Sequence, residues 1–419
     1  MNKTYYEFHK KLIIENKYFI SITLFIFTAI FTLENLNERF WLNDFKVYYL
    51  AAKSLIEGTP IYGVAFGLNT GFYKYSPFTL LLFTPSLLFD FSTAIVIQYF
   101  VISFTTIASI LLIQNIINKY LFNTTLLNKN LILILAFVCV FRHLFREVHM
   151  GNLNMIIVFM LNLGLLFTLK SKYILSGICI GIVVLIKPYF LLLMLPFLIY
   201  GKLKTIVSTG LTIVVSIIIP FIIFGFSQGL SLHQNWLNSM LAHNTYLFSY
   251  ETIFSLLNMY LFTNIPNIFQ VIIIATVIFI YLFVFLFLKN KAKSSEKKDF
   301  LNNSNFIVGF LLLLAIIPNL LITDTEHFLF TTPLILFILN YLFINKNKVE
   351  ITVFVIIILL YAAFTTDVIG NVFTDKIDSM GMLGLSNLFI IGFSLYIVFK
   401  NQNPQINNGQ FQQITVENS

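Results

Sequence analysis

A single carboxylate, Asp44, stands at the head of the segment 44–58, directly after the first long apolar run of the chain. Its position has two explanations. An acidic residue in the first turn of a helix stabilises the helix dipole and needs no further purpose. A carboxylate at a membrane surface can instead accept a proton from a hydroxyl group, provided that one oxygen faces a cavity. The spacing of the residues does not decide between a helix cap and a general base.

Three cations lie near the ends of predicted apolar helices: Arg142, Arg146 and Lys187. A guanidinium can hold phosphate oxygens through two donors, so the arginines are candidates for an anion clamp. The alternatives are snorkelling of either arginine toward lipid headgroups and a local charged pair between Arg146 and Glu147. Lys187 is followed by Pro188 in an apolar hairpin, where a lysine without function is costly, so a functional role is favoured.

Histidines supply further candidates. His327 follows Asp324 and Glu326, and a histidine there could bind a phosphate or position an acceptor. The Asp-x-Glu-His run also suggests metal ligands, but three ligands within four residues suit no common site without distant partners. His149, beside the segment 151–154, is a second candidate.

Composition determines the elements that must position these side chains. Apolar residues make up 58% of the chain, charged residues 11%, and the mean hydropathy is +0.87. Long apolar runs without ionised groups predict an all-α polytopic membrane protein, since a β-barrel would alternate over segments of about ten residues. Twelve transmembrane helices are predicted, at 18–33, 92–118, 131–148, 151–169, 174–187, 189–200, 205–226, 267–288, 305–322, 328–344, 351–367 and 385–399.

The distribution of charge predicts the orientation. Lys and Arg accumulate in cytoplasmic loops, so both termini and the basic segment 289–304 are placed inside. Residues 1–400 then form one membrane domain with outer loops at 34–91 and 227–266. The polar tail 401–419 is predicted to be disordered in the cytoplasm. The net charge of +8 lies mainly in short loops, so contact with membrane lipids explains it better than binding of nucleic acid.

The first outer loop has two predicted elements. Apolar and small residues recur at helical spacing behind Asp44, namely Tyr48, Ala51, Ala52 and Leu55. They predict an amphipathic helix that lies on the membrane and ends at Gly58. Farther on, Tyr75-Ser-Pro77 opens an apolar stretch of about 15 residues, which is too short to span the membrane and is predicted to be re-entrant or interfacial.

Several motifs resemble, in the same order, those of glycosyltransferase family 87. Asp44-Phe-Lys-Val-Tyr-Tyr-Leu-Ala-Ala, with Gly58 and Tyr62, resembles the first-loop signature of that family. The other similar segments are the Tyr-x-Pro element at Tyr75-Ser-Pro77, the Gly-Gln-x-Asn element at Gly151-Asn-Leu-Asn154, the Lys-Pro-x-Pro region at Lys187-Pro188 and Pro196, the Asn-containing segment His243-Asn-Thr245, and the acidic-His pair Glu326-His327. All of them fall on the outer side of the predicted topology.

The chain also departs from the family pattern. Asn152 replaces the usual Gln, and Tyr189-Phe190 interrupts Lys-Pro-x-Pro. The first loop has no Asp-x-Asp or Asp-Asp pair, which some related enzymes use. No cofactor is expected, and a divalent metal, although possible in such enzymes, is not supported by these residues.

The resemblance implies a GT-C-type helical bundle in the bacterial inner (plasma) membrane, with an active site that faces the periplasm or exterior. Similar enzymes move a hexose such as mannose from a polyprenyl phosphate to a hydroxyl of a lipid or glycan acceptor. Asp44 is then expected to be the general base of an inverting transfer. The residues expected to bind the donor phosphate are Arg142, Arg146, Lys187 and His327. The candidates for substrate binding are Tyr48, Tyr75, His149, Asn152, Asn154, Asn244 and Glu326.

Other classes of membrane protein share the composition. A transporter or flippase of a lipid-linked glycan should show ionisable residues near mid-membrane or inverted repeats, whereas here the ionisable groups gather at one face. An O-antigen polymerase or ligase usually has arginines in a long late loop, and the loop 227–266 contains none. In that loop Trp236 can stack on sugars or belong to an interfacial aromatic belt, and the belt is favoured. A non-catalytic scaffold with the same fold is a further alternative.

Overall fold

The computed structural model describes residues 15–67, 71–122, 128–243, 249–261, 266, 268–293, 298–321, 324–362 and 370–401. Nearly all of this part of the chain is helical, and its only β structure is an isolated bridge between Ala65 and Phe72. The predicted class, an all-α polytopic membrane protein, is confirmed. Asn244 and the part of the predicted tail after Asn401 lie outside the described residues.

Eighteen helices follow one another in the described residues. The first nine are α1 (Lys17–Leu36), α2 (Asn43–Glu57), α3 (Pro77–Phe83), α4 (Phe91–Ile117), α5 (Lys129–Cys139), α6 (Phe141–Met150), α7 (Asn154–Leu169), α8 (Tyr173–Ile186) and α9 (Met194–Ile199). The other nine are α10 (Leu203–Phe224), α11 (Phe226–His243), α12 (Ile253–Tyr260), α13 (Ile268–Lys293), α14 (Lys298–Leu320), α15 (Thr332–Asn345), α16 (Lys348–Ala362), α17 (Asn371–Ser379) and α18 (Met382–Asn401). Short 3₁₀ segments cover Thr84–Leu88, Pro188–Leu193 and Thr325–Thr331.

Length and composition make seven of the described helical stretches suitable for crossing a membrane. These are Lys17–Leu36, Phe91–Phe122, Leu203–Phe224, Ile268–Lys293, Lys298–Leu320, Thr325–Asn345 and Met382–Lys400. An eighth span results if α6 and α7, which are inclined to each other by 113°, count as one broken element.

The predicted number of twelve full spans is therefore larger than length and composition support in the described residues. The span 131–148 is divided, because α5 ends at Cys139 and α6 begins at Phe141. The spans 174–187 and 189–200 correspond to short helices, of which α8 has 14 residues. At 1.5 Å per residue α8 extends about 21 Å, less than the roughly 30 Å of the hydrocarbon layer. Two breaks between short helices carry candidate site residues. Asn152 lies between α6 and α7, and Lys187 directly follows α8.

Buried polar pairs fix the centre of the bundle. Most side chains of α14 and α15 are buried, whereas α10 and α13 expose apolar side chains that suit contact with lipid. Gln114 on α4 and Asn340 on α15 are buried and exchange two amide hydrogen bonds of 2.8 Å. Such pairs hold helices together in an environment that offers no water to replace them.

The first loop folds as two short helices. The helix predicted behind Asp44 is α2, and it ends at Gly58, whose φ of +69° is readily adopted by glycine. The stretch that begins at Tyr75 forms α3 and a 3₁₀ segment, in agreement with the prediction that it does not span the membrane. The Ser76 hydroxyl caps α3 by accepting a hydrogen bond of 3.2 Å from the Thr79 backbone N–H.

Candidate active site

A cavity of about 340 Å³ lies where the first loop meets the breaks between the short helices. Its wall includes Asp44 and Tyr48 from α2, Asn152 from the corner between α6 and α7, Lys187 from the end of α8, and His327 from the 3₁₀ segment before α15. The volume falls within the range of cavities that hold small ligands. With Tyr75, which also lines the cavity, the structure thus brings together six candidates from five separate segments of the sequence.

A close approach of two backbones places Asn152 beside Asp44. Gly151 has a φ of +71°, and a Cβ added there would lie 2.8 Å from the Leu42 side chain and 3.0 Å from the Phe45 Cβ atom. Only glycine combines this backbone conformation with so little space. The next side chain, Asn152, donates a hydrogen bond of 2.8 Å from Nδ2 to Oδ2 of Asp44. Asp44 is therefore held at the cavity wall by a side chain that lies more than one hundred residues later in the sequence. This contact is additional to the position of Asp44 in the first turn of α2.

Replacing Gly151 should consequently reduce stability and activity together. Gly151→Ala combines left-handed strain with a clash against α2, so we expect the free energy of unfolding to fall by about 1–3 kcal/mol. Gly58→Ala is the matched control, since it carries similar strain but meets no atom within 4 Å. Thermal unfolding in detergent and the catalytic rate in nanodiscs measure both effects. Equal activities of the two variants would show that the Gly151 contact does not position the site.

The charge of Asp44 is sensitive to its surroundings. Burial, together with the nearby negative charges of Glu326 and Asp324, raises the pKa of Asp44 to about 7, while Lys74 and Lys187 oppose this shift. Burial also raises the pKa of Tyr48, so that its hydroxyl stays protonated. Asp44 thus has the proton affinity of a group that can accept and release a proton near neutral pH.

Glu326 connects Asn152 to Arg146 behind the cavity wall. Its Oε2 forms an ion pair of 2.8 Å with Nε of Arg146, and its Oε1 accepts a longer hydrogen bond of 3.4 Å from Nδ2 of Asn152. A local pair between Arg146 and Glu147, one alternative in the sequence, is wrong, because Glu147 is buried and accepts hydrogen bonds from the Asn154 side chain and the Met155 backbone N–H. Arg146 is thereby committed to a carboxylate of the protein.

Lys187 is the buried cation of the cavity. The chain leaves the helical conformation at Lys187 because Pro188 follows, and this break turns the side chain toward two partners. Its Nζ donates to Oδ1 of Asn154 at 2.6 Å and lies 2.5 Å from Nε2 of His327. Nδ1 of His327 lies 3.1 Å from the backbone carbonyl of Asp324. These contacts suit a neutral imidazole that donates through Nδ1 and accepts through Nε2.

An aromatic wall adjoins Asp44. The hydroxyl groups of Tyr48 and Tyr75 are 2.9 Å apart, and their rings are in contact with a centroid separation of 5.2 Å. Tyr48 also donates a long hydrogen bond of 3.5 Å to Oδ1 of Asn152. Such a surface can stack against the face of a sugar ring, while the tyrosine hydroxyl groups can orient the ring through hydrogen bonds.

Five described candidates do not line the cavity. Asn154 and Glu326 contact lining residues and Arg146 contacts Glu326, whereas Arg142 and His149 pair elsewhere. Arg142 forms an ion pair of 3.4 Å with Asp378, and His149 contacts Glu34 at 2.9 Å. Another candidate, Asn244, lies outside the described residues.

The cavity also contains residues that were not proposed from the sequence, and the most prominent are Lys74, Tyr189 and Gln270. Lys74 directly precedes the Tyr-Ser-Pro motif. The presence of a cation next to a motif was the feature of the sequence that could have marked Lys74 as a candidate. Gln270 lies near the start of α13, where nothing in the apolar sequence marks it. In the part of the chain that the structure describes, no group of three or more His, Cys, Asp or Glu could hold a metal ion.

The fold and the cavity define a polytopic membrane protein with an acid and cations gathered at breaks between helices. The model of glycosyltransferase family 87 matches residues 72–318. Because this match covers more than half of the 419 residues, the chain belongs to that family and is a membrane glycosyltransferase. The matched region contains Asn152 and Lys187, whereas Asp44 precedes it and His327 follows it. No curated protein matches the chain in sequence.

Proposed function

We propose that the protein transfers a hexose, such as mannose, from a polyprenyl phosphate to a hydroxyl of a lipid or glycan acceptor. The observation that carries this proposal is the presence of Asp44 and Lys187 in the wall of one cavity. A carboxylate can take the proton that the acceptor loses, and a cation can stabilise the charge that the leaving phosphate gains.

Asp44 is the general base in this proposal. As the acceptor oxygen attacks the anomeric carbon, its proton passes to Asp44, and the bond between that carbon and the phosphate oxygen breaks. Attack from the face opposite the phosphate inverts the anomeric configuration. The hydrogen bond from Asn152 to Oδ2 leaves Oδ1 of Asp44 for the acceptor hydroxyl.

Lys187 stabilises the leaving group. The contacts with Asn154 and His327 involve two of the three N–H donors of the Lys187 ammonium. The third can reach a phosphate oxygen without loss of the other two. We assign Asn154 and His327 to the orientation of Lys187, and Arg146 to the orientation of Glu326 and, through Asn152, of Asp44.

The length of α13 supports a cavity at the outer face. Gln270 lines the cavity, and Lys289, Lys291 and Lys293 lie at the other end of the same helix. The 19 residues from Gln270 to Lys289 extend about 28 Å, which is close to the thickness of the hydrocarbon layer. Since Lys and Arg mark the cytoplasmic side, the cavity then opens on the periplasm or exterior of a bacterial plasma membrane.

A choice of donors tests the proposal. We expect the purified full chain in nanodiscs to transfer at least one hexose from a panel of polyprenyl-phosphate hexoses to acceptors in a membrane lipid extract, with inversion of the anomeric configuration. The same hexoses carried by nucleotides are the control donors. Transfer from the nucleotide sugars alone, or retention of configuration, would contradict the proposal.

The pKa of Asp44 sets an expected pH dependence. A base acts only when ionised, and the folded-state pKa of Asp44 lies near 7 rather than at its ordinary value of 3.8. The transfer rate should therefore rise as pH increases through about 7 and should fall about tenfold per unit below it. Initial rates between pH 5 and 9, at donor concentrations well below saturation so that they report the donor-free enzyme, measure this profile. An acidic limb near pH 4 would show that Asp44 is not the group that limits the rate.

A further inference from the structure

The cations that face the cavity only partly match those expected at the donor phosphate: Lys187 was expected there, whereas Lys74 was not. Arg142 and Arg146 are engaged by Asp378 and Glu326. The lysines among the described lining residues are Lys74 and Lys187. Lys74 is half-buried in the cavity wall, where its ammonium gives up part of its hydration and an anion in the cavity can take the place of the lost water.

The backbone around Lys74 is fixed at four consecutive residues. The hydrogen bonds run from Ser239 Oγ to the Tyr73 carbonyl (3.4 Å), from Trp236 Nε1 to the Lys74 carbonyl (3.1 Å), from the Tyr62 hydroxyl to the Tyr75 carbonyl (2.8 Å), and from the Ser76 N–H to the Leu185 carbonyl (3.3 Å). The last bond joins this segment to the residue two positions before Lys187. The two lysines thus project from segments whose backbones are hydrogen-bonded to each other. The relative position of the two backbones is therefore set before any ligand binds.

The electrostatics agree with this placement. Both Lys74 and Lys187 lower the pKa of Asp44, so both act on the same carboxylate. Burial lowers the pKa of Lys74, while Asp324 and Asp44 counter the shift and favour the ammonium form. Lys74 thus lies near the proposed base, with two carboxylates that favour its charged form.

The charge change in the proposed reaction calls for two cations. A sugar joined to a polyprenyl phosphate is a phosphodiester with one negative charge. When the bond to the anomeric carbon breaks, the released polyprenyl monophosphate keeps the electron pair and gains a second charge, while the acceptor proton goes to Asp44. One ammonium can balance the donor, but the product and the transition state leading to it need more positive charge.

We propose that Lys74 binds the phosphate of the polyprenyl-phosphate donor jointly with Lys187. Lys187 approaches from the break after α8, and Lys74 approaches from the fixed segment before α3. This inference rests on the proposed function, because it names a further phosphate ligand for the same reaction.

Binding of a polyprenyl monophosphate, the product of the reaction, tests the inference without knowledge of the sugar. We expect Lys74→Gln to weaken this binding to the full chain in nanodiscs by about tenfold or more, as for loss of a hydrogen bond to a charged group. Lys74→Arg should stay within a few-fold of the wild type. Lys46→Gln is the control, since it removes the same charge from an exposed position on α2 that does not line the cavity.

The corresponding polyprenol, which lacks the phosphate, separates charge from packing. It should bind wild type and Lys74→Gln equally. If wild type and Lys74→Gln bound the monophosphate equally well, the role of Lys74 would be overturned. The same would follow if Lys74→Gln lost as much affinity for the alcohol as for the monophosphate. Neither result would affect the proposed function. Failure of the wild type to bind the monophosphate would instead overturn the proposed function. Should Lys74→Gln not fold, a loss of affinity in the folded Lys74→Arg variant as large as tenfold would contradict the inference.

Discussion

Asp44→Asn should lower the rate of sugar transfer by about 10²- to 10⁴-fold, the contribution expected of a positioned general base. The amide keeps the shape of the carboxylate but cannot accept the acceptor proton. Asp44 does not contact the donor phosphate in the proposed mechanism, and its negative charge opposes that of the phosphate, so the affinity for polyprenyl monophosphate should be retained or should rise. The measurement is a comparison of initial transfer rates and of product affinity in nanodiscs.

Glu57→Gln is the matched control for this substitution. It also removes one carboxylate from α2, but Glu57 is exposed and pairs with Lys53 across one helical turn at 3.7 Å. Surface pairs of this kind contribute little, so both the transfer rate and thermal unfolding should remain close to the wild type. Undiminished transfer by a folded Asp44→Asn variant would remove Asp44 from the mechanism. Equal losses in the two variants would point to a general effect of charge on α2.

Local signals predicted the parts of the site that depend on neighbours in sequence. The helix behind Asp44 and its end at Gly58 follow from apolar spacing and from the backbone freedom of glycine. The break at Lys187 follows from Pro188. These features need no knowledge of distant residues, and the structure contains all of them.

Pairing between distant residues could not be predicted in the same way. Arg146 was expected at a phosphate, yet its partner is Glu326, 180 residues later in the chain. A single sequence does not show which helices meet, so it cannot show which charges neutralise each other.

The division of the predicted span 131–148, in contrast, had a local signal in the sequence. The segment 141–150 carries two arginines, two histidines and a glutamate, a density of ionisable groups that a continuous span rarely tolerates.

The pattern of pairing has a consequence for catalysis. Carboxylates and cations are equal in number at the cavity wall if Arg146 is assigned to Glu326, because Asp44 and Asp324 then lie beside Lys74 and Lys187. The pKa of Asp44 stays raised because burial, with the charges of Glu326 and Asp324, outweighs the effect of the two lysines. The binding of a phosphate adds negative charge and should raise it further, so that the base has its greatest affinity for a proton when the donor is in place.

Lys187→Gln should have the second large effect, a fall in the transfer rate of about 10²- to 10³-fold, as when one group that stabilises a developing oxyanion is removed. Glutamine retains a donor for Asn154 or His327 but provides no charge. Since the phosphate gains its second charge only as the sugar leaves, the turnover rate should fall more than the affinity for the donor. Single-turnover rates and donor affinity, measured on the same nanodisc preparation, separate these quantities.

Arg142→Gln is the informative comparison, because the sequence proposed Arg142 for the same role and the structure pairs it with Asp378 instead. Its transfer rate should stay within a few-fold of the wild type. A larger loss for Arg142→Gln than for Lys187→Gln would place the leaving group elsewhere and would contradict the assignment of the cavity. We expect the loss of activity to be far larger for Lys187→Gln than for Arg142→Gln, and this order follows from burial and contacts alone. Lys187 is buried at the cavity wall beside His327. Arg142 forms its ion pair with Asp378 away from that wall.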